Sequence, residues 1–82
     1  MVINQRTAAY DIYLEAHSAY TGMSPSEARA QLSQEQFEDR VRQLHQRYMN
    51  EEFSMGKLAD LLQVPALNLF DILNELELPT YR

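Results

Sequence analysis

The stretch "SMGKLADLLQVPALNLFDILNEL", residues 54–76, decides how this chain folds. Ser54 is a strong helix N-cap residue, and residues 55–62 carry apolar side chains at helical spacing. Gln63-Val64-Pro65 interrupts the run. Proline suits the start of a new helix, so a second helix is predicted from residue 65 or 66 to 76. Ala59 is small enough to let the two helices touch. Leu58 and Leu62 face inward from the first helix, Leu69 and Ile72 from the second, and Val64 plugs the turn. Glycine often fills the left-handed place of such turns and is missing here; Gln63 occupies it, which points to a turn rebuilt around proline as the first residue of the next helix. The pattern predicts a helix-turn-helix, the shape that carries a helix into the DNA major groove.

The second helix has unusual chemistry for that task. Its predicted outward set is Ala66, Asn68, Asp71, Asn74 and Glu75, with no lysine or arginine. Base readers use Arg or Lys for guanine and Asn or Gln for adenine. Asn68 fits adenine, whereas Asp71, Glu75 and Glu77 repel phosphates. The nearest basic residues are Lys57 on the first helix and Arg40, Arg42 and Arg47 on the one before it. The candidate DNA contacts are therefore Arg40, Arg47, Lys57 and Asn68. Asp71 and Glu75 are instead candidates for contact with a protein partner.

Three further helices are expected upstream. Ala9, Ile12, Tyr13, Ala16 and Tyr20 make one face of a helix over residues 6–20, which Thr21-Gly22 stops. Ser24, Pro25 and Glu27 open a short helix over 25–32 with a capping box. Ser33 and Gln36 repeat that signal for a longer helix over 34–50, along which Phe37, Val41, Leu44 and Tyr48 form a stripe. Leu78-Pro79 ends the chain extended, because proline denies its predecessor the helical region. The expected fold is all-α, with four to five short helices in one domain over residues 1–82. Residues 1–31 are its N-terminal helical segment, and residues 32–82 are a helix plus the helix-turn-helix. Tyr10, Tyr13 and Tyr20 admit two readings: packing residues at the edge of a small core, or aromatic anchors of a partner-binding face.

The totals limit the function classes. Eighty-two residues bury only a modest core, so homodimerisation is an expected source of added stability. The absence of cysteine excludes disulfides and thiolate metal sites. Seven basic and twelve acidic side chains leave a net charge of −5, which argues against a non-specific nucleic-acid binder. The polar opening MVINQRT lacks a targeting pattern, and no apolar run nears the about 20 residues that span a bilayer. A cytoplasmic protein without membrane contact is expected.

Catalysis has no constellation to work with. His17 and His45 lie on different helices without metal-ligand spacing. His45 reads as solvated, and His17 as surface or half-buried. The neighbouring pairs Glu38-Asp39 and Glu51-Glu52 read as a solvated face and a helix end. No catalytic, cofactor or metal site is expected, and the chain reads as non-enzymatic.

Residues 32–82 also resemble a family of small prokaryotic proteins described as antitoxin-like or as helix-turn-helix regulators. The resemblance rests on the acidic helix start at 32–38, the Tyr-to-acidic helix end at 48–52, and the run Ser54, Gly56, Lys57, Ala59. It continues through the second helix at 70–76 and the Leu-Pro-x-Tyr tail at 78–81. It implies a cytoplasmic partner in a gene pair, an antitoxin to a PIN-domain-type ribonuclease, with autoregulatory operator binding as a dimer. The leading expectation is thus a small regulator acting by protein–protein interaction, its acidic surface neutralising a basic toxin site. The alternatives are a sequence-specific transcription regulator and a helical adaptor docking through the three tyrosines.

Overall fold

The computed structural model describes residues 5–81, with side chains from residue 9 onward. Residues 1–4, which begin the polar opening, and residue 82 lie outside the described residues. Five helices follow one another: α1 (Gln5–Thr21), α2 (Pro25–Gln31), α3 (Gln34–Met49), α4 (Met55–Leu62) and α5 (Ala66–Glu75). The all-α expectation holds, and each predicted helix lies within about two residues of its observed bounds. Among the described residues, no helix is long and apolar enough to cross a membrane.

The helix starts follow the caps in the sequence. Ser24 accepts from the Glu27 amide while Glu27 reaches back to the Ser24 amide, and Ser33 and Gln36 do the same for α3. Ser54 accepts from the Lys57 amide at the start of α4. Each such cap is worth about 1 kcal/mol.

The ends of α1, α3, α4 and α5 share a different device, whereas α2 ends on the extended Leu32. Gly22 (φ 83) lies just beyond α1, and Glu51, Gln63 and Glu77 (φ 63, 59 and 59) lie beyond α3, α4 and α5. In the last three the chain closes with paired bonds: Glu52 N to Arg47 O with Glu51 N to Tyr48 O, Val64 N to Ala59 O with Gln63 N to Asp60 O, and Leu78 N to Leu73 O with Glu77 N to Asn74 O. These are Schellman closures, normally built on glycine. The turn is not rebuilt with proline as the first helical residue: Gln63 itself takes the left-handed conformation without glycine, and Pro65 is the N-cap of α5. Gln63→Gly removes a Cβ penalty of about 1–2 kcal/mol but loosens the unfolded chain by roughly half of that. The expected outcome is a stabilisation of about 0.5–1 kcal/mol, seen as a higher urea midpoint at unchanged slope. A drop in midpoint would show that the Gln63 side chain matters more than its backbone.

The core forms where α1 lies along α5, with α2 and α3 against α1, and α4 joined to both α3 and α5. Phe37, Leu58, Leu69, Ile72 and Leu73 are fully buried, and Val64 fills the α4–α5 turn. The stripe Phe37, Val41, Leu44, Tyr48 is buried as predicted. The predicted face of α1 needs correction. Tyr10, Leu14 and His17 are buried beside Ala9, Tyr13 and Ala16, while Ile12 is half-buried and Tyr20 is exposed. An amphipathic stripe suits a helix with one neighbour. Helix α1 touches α2, α3 and α5 and so buries a wider arc.

Three polar expectations are also corrected. His45 is not solvated but 6% exposed, with Nε2 2.7 Å from Pro79 O. A carbonyl only accepts, so Nε2 carries the proton and donates. Tyr48 donates its hydroxyl to Thr80 O at 3.0 Å, so two α3 side chains hold the extended tail. His17 is 5% exposed and bonds through Nδ1 to Gln63 O at 3.2 Å. Glu38 is buried, near Arg42 at 3.7 Å and the Gln34 amide at 3.3 Å. The partners of His45, Tyr48 and His17 are remote in sequence, whereas Glu38 is paired within α3. His45→Ala should cost about 1–3 kcal/mol, because it empties a buried place and strands a carbonyl. Urea denaturation measures it, and a cost of only a few tenths would mean that the tail is held without this bond.

Candidate functional site

Helix α5 has two unlike faces. Successive residues turn by about 100°, so Leu69, Ile72, Leu73 and Leu76 fall together. That side is buried. Opposite it stand residues 67, 70, 71 and 74. Leu67 is 79% exposed and Phe70 38%, and Asp71 and Asn74 are exposed beside them. Asn68 and Glu75 sit half-buried along one edge of this stripe. The predicted outward residues Asp71 and Asn74 are where they were expected. Leu67 and Phe70 were not predicted. Their signal was the number of apolar residues on α5: six in its ten positions is more than one helix face can bury.

The chain segment that carries this face has charge of one sign. From residue 58 to 81 there are four carboxylates, Asp60, Asp71, Glu75 and Glu77, and no lysine or arginine. The stripe thus joins two exposed apolar side chains to Asp71 within it and Glu75 at its edge.

The four candidate DNA contacts are dispersed in their roles. Arg47 pairs with Glu52 at 2.9 Å and lies over the Phe53 ring at 5.3 Å, closing the end of α3. Arg40 borders a cleft between α1, α2 and α4. Lys57 is exposed in the first turn of α4, and Asn68 is half-buried on α5. Phosphate contacts need mobile cations on one surface, and Arg47 is already neutralised.

The three tyrosines separate. Tyr10 and Tyr13 are core residues, their rings 5.6 and 4.7 Å from Phe37. Tyr10 gives its hydroxyl to Leu32 O and lies under Arg29. The packing reading of these two is the observed one, and a docking face built on them is not available. Tyr20 is 48% exposed and donates to Asp60 Oδ1 at 3.1 Å, linking α1 to α4. That hydrogen bond and the Asp60 charge push the Tyr20 phenol above its ordinary value.

The cleft beside Arg40 has a volume of about 210 Å³. Tyr13, His17, Arg40 and Gln63 supply its polar wall, and Met23, Leu32, Leu61 and Leu62 its apolar one. Burial pushes the Tyr13 phenol up, and the Arg40 guanidinium partly opposes this. Among the described residues no group of His, Asp or Glu side chains is placed to hold a metal ion. No family model, curated protein or solved structure matches this chain, so its functional reading rests on the α5 face and the cleft.

Proposed function

We propose that the chain is a small non-catalytic regulator that works by docking α5 onto a protein partner. In this reading α4 and α5 form a helix-turn-helix, built on the Ala59 contact, the buried Val64 and the left-handed Gln63. The observation that carries the proposal is the outer stripe of α5, where Leu67 and Phe70 are exposed at the position from which a recognition helix would read DNA. Apolar anchors ringed by polar groups characterise protein interfaces. Unpaired carboxylates against phosphates do not characterise DNA interfaces. The partner this face fits has an apolar pocket with lysine or arginine on its rim. A basic RNA-cleaving toxin has that chemistry, as the antitoxin-like resemblance implies. Homodimerisation through another surface, and operator binding by such a dimer, remain compatible with this docking and are separate proposals.

The test isolates the partner by crosslinking in the native host, purifies it, and measures its affinity for the intact chain. Reversing both Asp71 and Glu75 to lysine should weaken binding by about tenfold or more, mostly through a slower association that added salt mimics. Equal affinity for the reversed chain would sink the electrostatic part of the proposal. Titration of duplex DNA at two salt concentrations is the counter-experiment: tight, steeply salt-dependent binding of the unmodified chain overturns docking as the primary activity.

A further inference from the structure

The cleft between α1, α2, α3 and the end of α4 is the second place where the molecule presents unusual chemistry. The chain carries twelve carboxylates, yet among the described residues lining this cleft there is none. The polar groups that line it are the Arg40 guanidinium, the Tyr13 hydroxyl, the His17 imidazole and the Gln31 and Gln63 amides. Arg40 is also set apart from its neighbours on α3. Among the described residues, Arg42 takes Glu38 and Arg47 takes Glu52, and neither ion pair involves Arg40. Met23 and Leu61, both half-buried, are apolar residues of the same lining. A cation in a cleft whose lining has no carboxylate and includes apolar side chains matches an amphipathic anion.

Size narrows the class. An apolar cavity of about 150 Å³ accepts a benzene ring. The cleft, at about 210 Å³, has room for one ring and one carboxylate. We propose that this cleft binds a small aromatic or ring-sized organic carboxylate, with its carboxylate on Arg40 and its ring against Leu61 and Met23. This site is separate from the α5 face and does not rest on the docking proposal. It does adjoin that face's support: Gln63 is both a wall of the cleft and the left-handed residue of the α4–α5 turn, and its carbonyl receives His17 Nδ1. An occupant therefore touches the turn from which α5 departs.

The probe is benzoate, with benzamide as its uncharged counterpart, titrated into the ¹⁵N-labelled full chain. Saturable shifts are expected at the amides of residues 61–64, with millimolar or tighter affinity. Benzamide should bind at least about tenfold more weakly, the scale of one charge-assisted hydrogen bond. Arg40→Gln should weaken benzoate by a similar factor while the rest of the spectrum stays in place, because Arg40 is exposed on α3 and outside the core. Leu61→Ala, at a half-buried wall position, should weaken both probes together. Failure of benzoate to saturate, equal binding of benzamide, or unchanged affinity in Arg40→Gln overturns the proposal.

Discussion

Phe37→Ala should lower stability by about 3–5 kcal/mol, the range for deleting a buried phenylalanine ring. The side chain is fully buried, and its ring lies against both Tyr13 at 4.7 Å and Tyr10 at 5.6 Å. It is the joint between α1 and α3. Neither tyrosine can swing in to fill the gap without giving up contacts on α1, and Tyr10 is further held by its bond to Leu32 O. A domain of this length is stable by roughly 4–12 kcal/mol in total. The variant should therefore be marginal or unfolded at 37 °C, with a melting temperature lower by roughly 12 °C or more. Thermal and urea unfolding followed by far-ultraviolet circular dichroism read this directly. Phe70→Ala is the matched control: the same side chain, partly exposed on α5, should cost well under 2 kcal/mol. Similar losses for the two variants would contradict the burial pattern on which the core and the α5 face both depend.

Leu67→Asp should have the second large effect, on binding and not on folding. Leu67 is 79% exposed, so its removal takes little apolar surface out of the folded core. The melting temperature should move by no more than a few degrees, equivalent to about 0.5 kcal/mol. Partner affinity should fall by about 100-fold or more, because a charge is carried into what the docking proposal makes the apolar centre of the interface. Leu67→Met should keep most of the affinity. Isothermal titration with the purified partner separates the outcomes. Retained binding by the Asp variant at normal stability would remove α5 as the docking element.

These variants also mark what could be read along the chain and what could not. Helix positions were legible because their signals are local. A serine with Glu or Gln three residues on, a proline at the first helical position and Gly22 after Thr21 act within one turn of backbone. The all-α class and the stripe on α3 followed from periodicity alone. The candidate site was half legible. The missing basic residues and the acidic Asp71 and Glu75 are plain in the sequence. That Leu67 and Phe70 stay outside depends on where α1 lies.

Sequence by itself determined the helical segments, their N-caps and the charge of the α4–α5 half, since each depends on neighbours a few residues away. Only the tertiary structure decided which apolar residues were left over, that Tyr10 and Tyr13 are core, that His45 and Tyr48 clasp the tail, and that Arg40 borders a cleft without carboxylates. Those outcomes depend on contacts between residues 20 to 60 positions apart. A helix with more apolar residues than one face can bury does not itself specify which side a neighbour will cover. Docking α1 along α5 settles it by burying Leu69, Ile72 and Leu73 and leaving Leu67 and Phe70 to solvent.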